Sequence, residues 1–82
     1  MDEFLGMVKL FGGNFAIKGF ALCDGQMVSI AENTPLYVIL GTMYGGDGIT
    51  TFALPKLENV KSANGQELSY QMCIQGVFPS RQ

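Results

Sequence analysis

Residues 67–75 read ELSYQMCIQ, and their side chains alternate between two faces of an extended chain. One face carries the larger apolar side chains Leu68, Tyr70, Met72 and Ile74, and the other carries smaller or polar ones. A period of two maintained over this length is typical of a strand with one buried face. We therefore predict a half-buried C-terminal strand extending over residues 67–77.

Turn residues on the N-terminal side of this strand predict hairpins. Asn64-Gly65 separates the strand from a candidate partner strand at residues 57–61, and Asp24-Gly25 lies between the apolar runs 20–23 and 26–30. Asp24-Gly25 favours the tight type I′ turn of a β-hairpin, since its residues tolerate positive φ, and Asn64-Gly65 offers a second hairpin turn. Further strands are predicted over residues 5–11 and 50–54, the second preceded by a glycine-rich loop at residues 44–48.

One short helix is predicted near residues 34–41. Asn33 or Thr34 can cap its N-terminus, Pro35 suits its first position and Gly41 can end it. Its body, LYVIL, is apolar on all sides, which predicts a largely buried helix. The fold class that follows is mainly β (a small α+β fold), with short antiparallel strands and hairpins and one short buried helix.

Length and composition predict one domain that associates with other chains. The 82 residues leave room for a single domain, 48% of them are apolar and 15% are charged, whereas an average soluble domain is about 25% charged. The apolar surplus indicates a homo-oligomer. The formal charge is −2 with scattered basic residues, which argues against a nucleic-acid partner. No apolar run approaches the roughly 20 residues of a membrane span. The acidic start at residues 1–4 is unlike a secretory signal, so we expect synthesis in the cytoplasm.

The residue inventory argues against catalysis and metal binding. The chain has no histidine, which removes the usual nucleophile–base sets and the usual zinc sites. Cys23 lies beside Asp24, whose charge disfavours a thiolate, and Asp24 and Asp47 occupy turns where aspartate is common for conformational reasons. No catalytic, cofactor-binding or metal-ligating residue is predicted. Cys23 and Cys73 are interpreted as buried free thiols, with a disulfide between them as the alternative.

Four blocks of sequence, in their order and spacing, resemble the phage tail collar domain family: residues 19–26, 36–42, 44–48 and 50–55. The chain looks like a shortened microcystin-dependent protein, with a collar-like core at 4–57, a short linker at 58–66 and the C-terminal strand at 67–77. Phe20 stands where the family usually has Trp, and Lys56 where it usually has Asp. Longer relatives carry a variable region where this chain has the short linker.

The resemblance implies a non-catalytic structural protein of a phage tail, a tail fibre or an exported phage-tail-like particle. It also implies assembly, with a trimer favoured and other tail or fibre proteins as partners. The predicted oligomer interface is the face formed by Leu68, Tyr70, Met72 and Ile74. One alternative function is a module that binds a glycan or a cell-surface receptor through a ligand loop containing Tyr44, Gly45, Gly46 and Asp47. Another is a small effector that binds and blocks a partner protein.

Overall fold

A computed structural model describes residues 3–80, so the first two and last two residues lie outside the described part. The structure is mainly β with one short helix, which confirms the predicted fold class. In chain order, the elements are β1 (Val8–Phe11), β2 (Phe20–Leu22), β3 (Met27–Ser29), α1 (Thr34–Leu40), β4 (Thr51–Ala53), β5 (Val60–Lys61) and β6 (Glu67–Cys73).

The C-terminal strand β6 organises the larger sheet. It pairs antiparallel with β1, β2 and β5, and the strand order is β1-β6-β2 with β5 beside the start of β6. The predicted strand is confirmed, but it ends at Cys73 and not at residue 77. Beyond that point, the amides of Ile74 and Gln75 both donate to the Gly19 carbonyl, and Val77 forms an isolated bridge with Phe4.

The prediction that β6 buries one face is wrong for its second half. Gln71 lies on the face predicted to be open, yet it is 0% exposed. Its side-chain Nε2 donates to the Phe15 carbonyl at 2.8 Å, and its Oε1 accepts from the Ile17 amide at 2.9 Å. Buried polar groups need such partners. The segment between β1 and β2 therefore covers this face, and period two alone did not reveal the cover.

The hairpin predicted at Asp24-Gly25 is also wrong. A turn forms, with Gly25 at φ +84° and the Asp24 carboxylate accepting from the Gln26 amide at 3.1 Å, but it is not type I′ because Asp24 does not have positive φ. However, the runs on either side enter different sheets, since β2 pairs with β6 and β3 pairs with β4. The backbone of the turn bonds to residues 54–57, as in the bond from the Leu57 amide to the Cys23 carbonyl at 2.8 Å. The turn is thus a corner between two sheets.

The second hairpin is confirmed at Asn64-Gly65. Gly65 has φ +87°, and Val60 and Lys61 pair with Leu68 and Glu67 across the turn. The first strand of this hairpin is shorter than the predicted residues 57–61. The strand predicted over residues 5–11 is likewise shorter, because Leu5 lies in a turn and β1 starts at Val8.

The predicted helix forms over Thr34–Leu40, with proline in its first turn and the Gly41 amide bonded to the Tyr37 carbonyl at 2.7 Å. The expectation that it is buried all round is wrong. Leu36 and Leu40 face the core, whereas Val38 is 66% exposed. The short helix lies on the surface, and its outward side is apolar.

The core lies between the helix, β4 and the larger sheet. It consists of Leu5, Ala21, Cys23, Leu36, Leu40, Phe52, Leu54 and Met72. Cys23 and Cys73 are both buried and free, as the interpretation from sequence had it. Within residues 3–80, no helix is long and apolar enough to cross a membrane.

Candidate functional site

The predicted ligand loop, Tyr44 to Asp47, is organised around the Asp47 carboxylate, and we call it the Asp47 loop. Its Oδ1 accepts from the backbone amides of Ile49, Thr50 and Thr51 at 2.8, 2.8 and 2.9 Å. Its Oδ2 accepts from the Thr50 hydroxyl at 2.9 Å. An aspartate that accepts from amides two to four residues ahead stabilises a tight turn.

These bonds also set the ionisation of the loop. The amide of Thr51, followed by those of Ile49 and Thr50, holds the pKa of Asp47 well below its usual range. Hydrogen bonds to the charged form of a carboxyl have this effect. Asp47 is therefore an exposed turn residue that is charged at neutral pH, and its own loop already engages its oxygens.

The glycines of this loop bring it against strand β4. Gly46 has φ +98°, and a Cβ there would lie 2.7 Å from the Thr51 carbonyl oxygen and 2.9 Å from the Phe52 nitrogen. The Ala53 amide donates to the Gly45 carbonyl at 3.0 Å. The loop thus completes the edge of β4, and Tyr44 is the member of the predicted set with an exposed large side chain.

The face predicted as an oligomer interface is divided by the fold. Met72 is 2% exposed, in the core of its own chain, and this burial corrects that part of the prediction. Tyr70 and Ile74 pack against the core as partly buried residues, and Leu68 is half-buried. The predicted residues are therefore shielded to different degrees, because Met72 lies at the centre of the sheet and Leu68 near its end.

An exposed apolar strip continues this face onto β1. Val8 pairs with Met72 and Leu10 with Tyr70, and directly opposed residues of an antiparallel pair point to the same face. Val8 is 37% exposed and Leu10 is 44% exposed. We call Val8, Leu10, Leu68 and Tyr70 the β1 face. Its β1 members were missed from the sequence, although Val8 and Leu10 alternate there with Lys9 and Phe11.

The described residues bring together no group of three or more Cys, Asp and Glu side chains that could hold a metal ion. Burial, followed by the nearby Asp24 charge, raises the pKa of the Cys23 thiol. A raised pKa disfavours the reactive thiolate. The chemistry of these side chains is that of packing and turn formation.

Comparison with known proteins gives one match. A family model described as the Phage Tail Collar Domain matches residues 6–60, from the turn before β1 to the first residue of β5. A search of curated proteins and a search of solved structures gave no match. The narrower resemblance to microcystin-dependent proteins stays a prediction.

Proposed function

This chain belongs to the phage tail collar domain family, and we propose that it is a self-associating structural subunit of a phage tail, a tail fibre or a phage-tail-like particle. The family is a structural family of phage tails, and the proposed role is non-catalytic. In this proposal the chain is made in the bacterial cytoplasm and is then built into the virion tail or an exported particle. Its partners are copies of itself, with a trimer favoured, and neighbouring tail or fibre proteins.

The observation that carries self-association is the distribution of apolar side chains. Within residues 3–80, ten apolar residues are buried, whereas fourteen large ones are exposed. Single exposed apolar residues are ordinary, but large contiguous patches mark interaction surfaces. Val8 and Leu10 are neighbours on one face of β1, and exposed apolar neighbours of this kind support contact with a further chain.

The β1 face is the surface we propose for this contact. β1 is the outer strand of the order β1-β6-β2, so its free edge can pair with a strand of a second copy. Lysine on an edge strand normally opposes such pairing, but Lys9 is engaged by a salt bridge to Glu3. The exposed Val8 and Leu10 then supply apolar area beside the new strand pair.

The same proposal takes residues 1–82 as one unit with a collar-like core at 4–57, a linker at 58–66 and a C-terminal strand at 67–77. It is supported by the pairing of β6 with β1 and β2, which ties the two ends of the sequence into one sheet.

Light scattering of the purified chain across a dilution series tests self-association. We expect a mass of three times the 8.9 kDa chain for the wild type. In Leu10→Glu the mass should fall toward that of a single chain, because a carboxylate there would be desolvated at the contact.

Leu10→Glu is preferable to Tyr70→Asp, since Tyr70 also packs against the core. Met43→Glu, at another exposed apolar position, is the matched control and should keep the wild-type mass. A monomeric wild type, or a Leu10→Glu oligomer of unchanged mass and stability, contradicts the proposal.

A further inference from the structure

A groove lined by both polar and apolar side chains opens between the sheet and the segment that follows β4. Its volume is about 310 Å³, and its polar side chains are Asn14, Asp24, Asn59, Glu67 and Ser69. Leu22 and Leu57 supply apolar surface within it. We propose that this groove, which we call the Asn59 groove, binds a neutral sugar ring. It is separate from the Asp47 loop, and it shares Tyr70 with the β1 face.

The groove presents hydrogen-bonding capacity that the chain itself does not use. The Asn59 Nδ2 donates to Glu67 Oε1 at 2.8 Å, which fixes both side chains and leaves the second carboxylate oxygen of Glu67 available. Asp24 uses one oxygen for the Gln26 amide. Within residues 3–80, the Asn14 side chain forms no hydrogen bond. Fixed acceptors and donors around a partly apolar floor suit a ligand that carries several hydroxyl groups on a carbon ring.

The charges in and around the groove favour a neutral ligand. Its two charged lining residues, Asp24 and Glu67, are both acidic and oppose an anion. The depression that adjoins it shares these carboxylates and adds Glu58, Lys56 and Lys61. Three carboxylates beside two lysines leave a single excess negative charge, so a cation gains little. A hydroxyl-rich neutral molecule can bond to the carboxylates without a charge of its own.

An exposed aromatic pair stands beside the groove. Phe15 is 61% exposed, and its ring packs edge-on against Phe11 with centroids 5.3 Å apart. A Cβ on Gly13, which lines the groove, would lie 2.9 Å from Phe11 Cζ and 3.2 Å from Phe15 Cε1. The two rings therefore lie next to the groove at Gly13. The negative face of an aromatic ring attracts the C–H groups of a sugar.

The size of the groove limits the ligand. Small-molecule sites are commonly about 300–1,000 Å³, and the Asn59 groove lies at the lower end of this range. One sugar ring fits this space, and a longer saccharide would extend into the adjoining depression past Lys56 and Lys61.

The test is a titration of the ¹⁵N-labelled full chain, followed by amide chemical shifts. The probes are glucose, galactose and N-acetylglucosamine, with methylammonium as the cationic probe and glucuronate as the anionic one. We expect at least one neutral sugar to shift the amides of Asn14, Asn59 and Glu67, with a Kd on the order of 1 mM. Methylammonium alone shifting these amides, or no neutral sugar shifting them, overturns the proposal.

Three variants locate the binding. Asn14→Ala and Phe15→Ala alter exposed side chains and should each weaken the sugar about threefold to tenfold. Tyr44→Ala removes the exposed aromatic of the Asp47 loop and should leave the affinity unchanged. The spectra report at the same time whether each variant is folded. Equal affinity in the wild type and in both groove variants, or a loss confined to Tyr44→Ala, overturns the assignment to the Asn59 groove.

Discussion

Replacing Gln71 with methionine removes the hydrogen bonds that attach the β1–β2 segment to the larger sheet. Methionine has nearly the volume of glutamine but leaves the Phe15 carbonyl and the Ile17 amide without their partners. Each buried group left unpaired costs about 1–3 kcal/mol. Because these backbone groups are part-buried, we expect a total loss of about 2–4 kcal/mol. A chain of 82 residues has a free energy of unfolding of about 4–12 kcal/mol, so the loss is a large share.

Urea unfolding followed by far-ultraviolet circular dichroism measures the effect. The control is Gln75→Met, which makes the same chemical change at an exposed position just beyond β6 and should stay within about 0.5 kcal/mol of wild type. If Gln71→Met is as stable as Gln75→Met, the Gln71 side chain does not hold the segment. That result would contradict the conclusion that the β1–β2 segment covers the second face of β6, and this face would be open to a partner.

Two further predictions concern the Asp47 loop. Gly46→Ala should lower the free energy of unfolding by about 2–5 kcal/mol, since strain at positive φ adds to overlap with the β4 backbone. The control Gly65→Ala has open space around it and should lower that free energy by only about 1–2 kcal/mol. Equal losses for the two variants in urea unfolding would show that the loop does not pack on β4. Asp47→Asn should lower the melting temperature at pH 7. Because the folded pKa of Asp47 is lowered, its stabilisation is present above about pH 4 and is lost as the pH falls through that lowered pKa. The difference in melting temperature between Asp47→Asn and the wild type should therefore shrink below about pH 4, and a difference that grows there would contradict this role of Asp47. The control is Asp24→Asn, which keeps its one backbone hydrogen bond.

The features that the sequence predicted correctly are those determined by neighbouring residues. The hairpin at Asn64-Gly65 closes between strands that are adjacent in the chain, so the turn dipeptide is sufficient to specify it. The helix begins and ends where Pro35 and Gly41 indicate. Asp47 was interpreted as a turn residue, and its bonds reach residues only two to four positions ahead. In each case the physical cause lies within a few residues.

The features that the sequence did not reveal depend on distant residues. Asp24-Gly25 forms its turn, but β2 and β3 then find partners in β6 and β4, which a local rule does not contain. Gln71 was interpreted as a solvent-facing residue because the backbone that covers it lies 54 and 56 positions away. Val38 was expected inside because an all-apolar helix does not indicate which side faces the core. The β1 face and the Asn59 groove arise from the same long-range pairings.

The short linker at residues 58–66 connects these features. The resemblance places a variable region at this point in longer relatives, where recognition of a target has room to diversify. Here the chain turns back at Asn64-Gly65, and the hairpin β5–β6 positions Asn59 beside Glu67 at a hydrogen-bonded distance of 2.8 Å. Asn59, within the linker, and Glu67, directly after it, thus form one wall of the Asn59 groove. If the sugar titration succeeds, the linker forms one wall of a binding site. If the titration fails while self-association holds, the chain is an assembly unit that carries no sugar site in this groove.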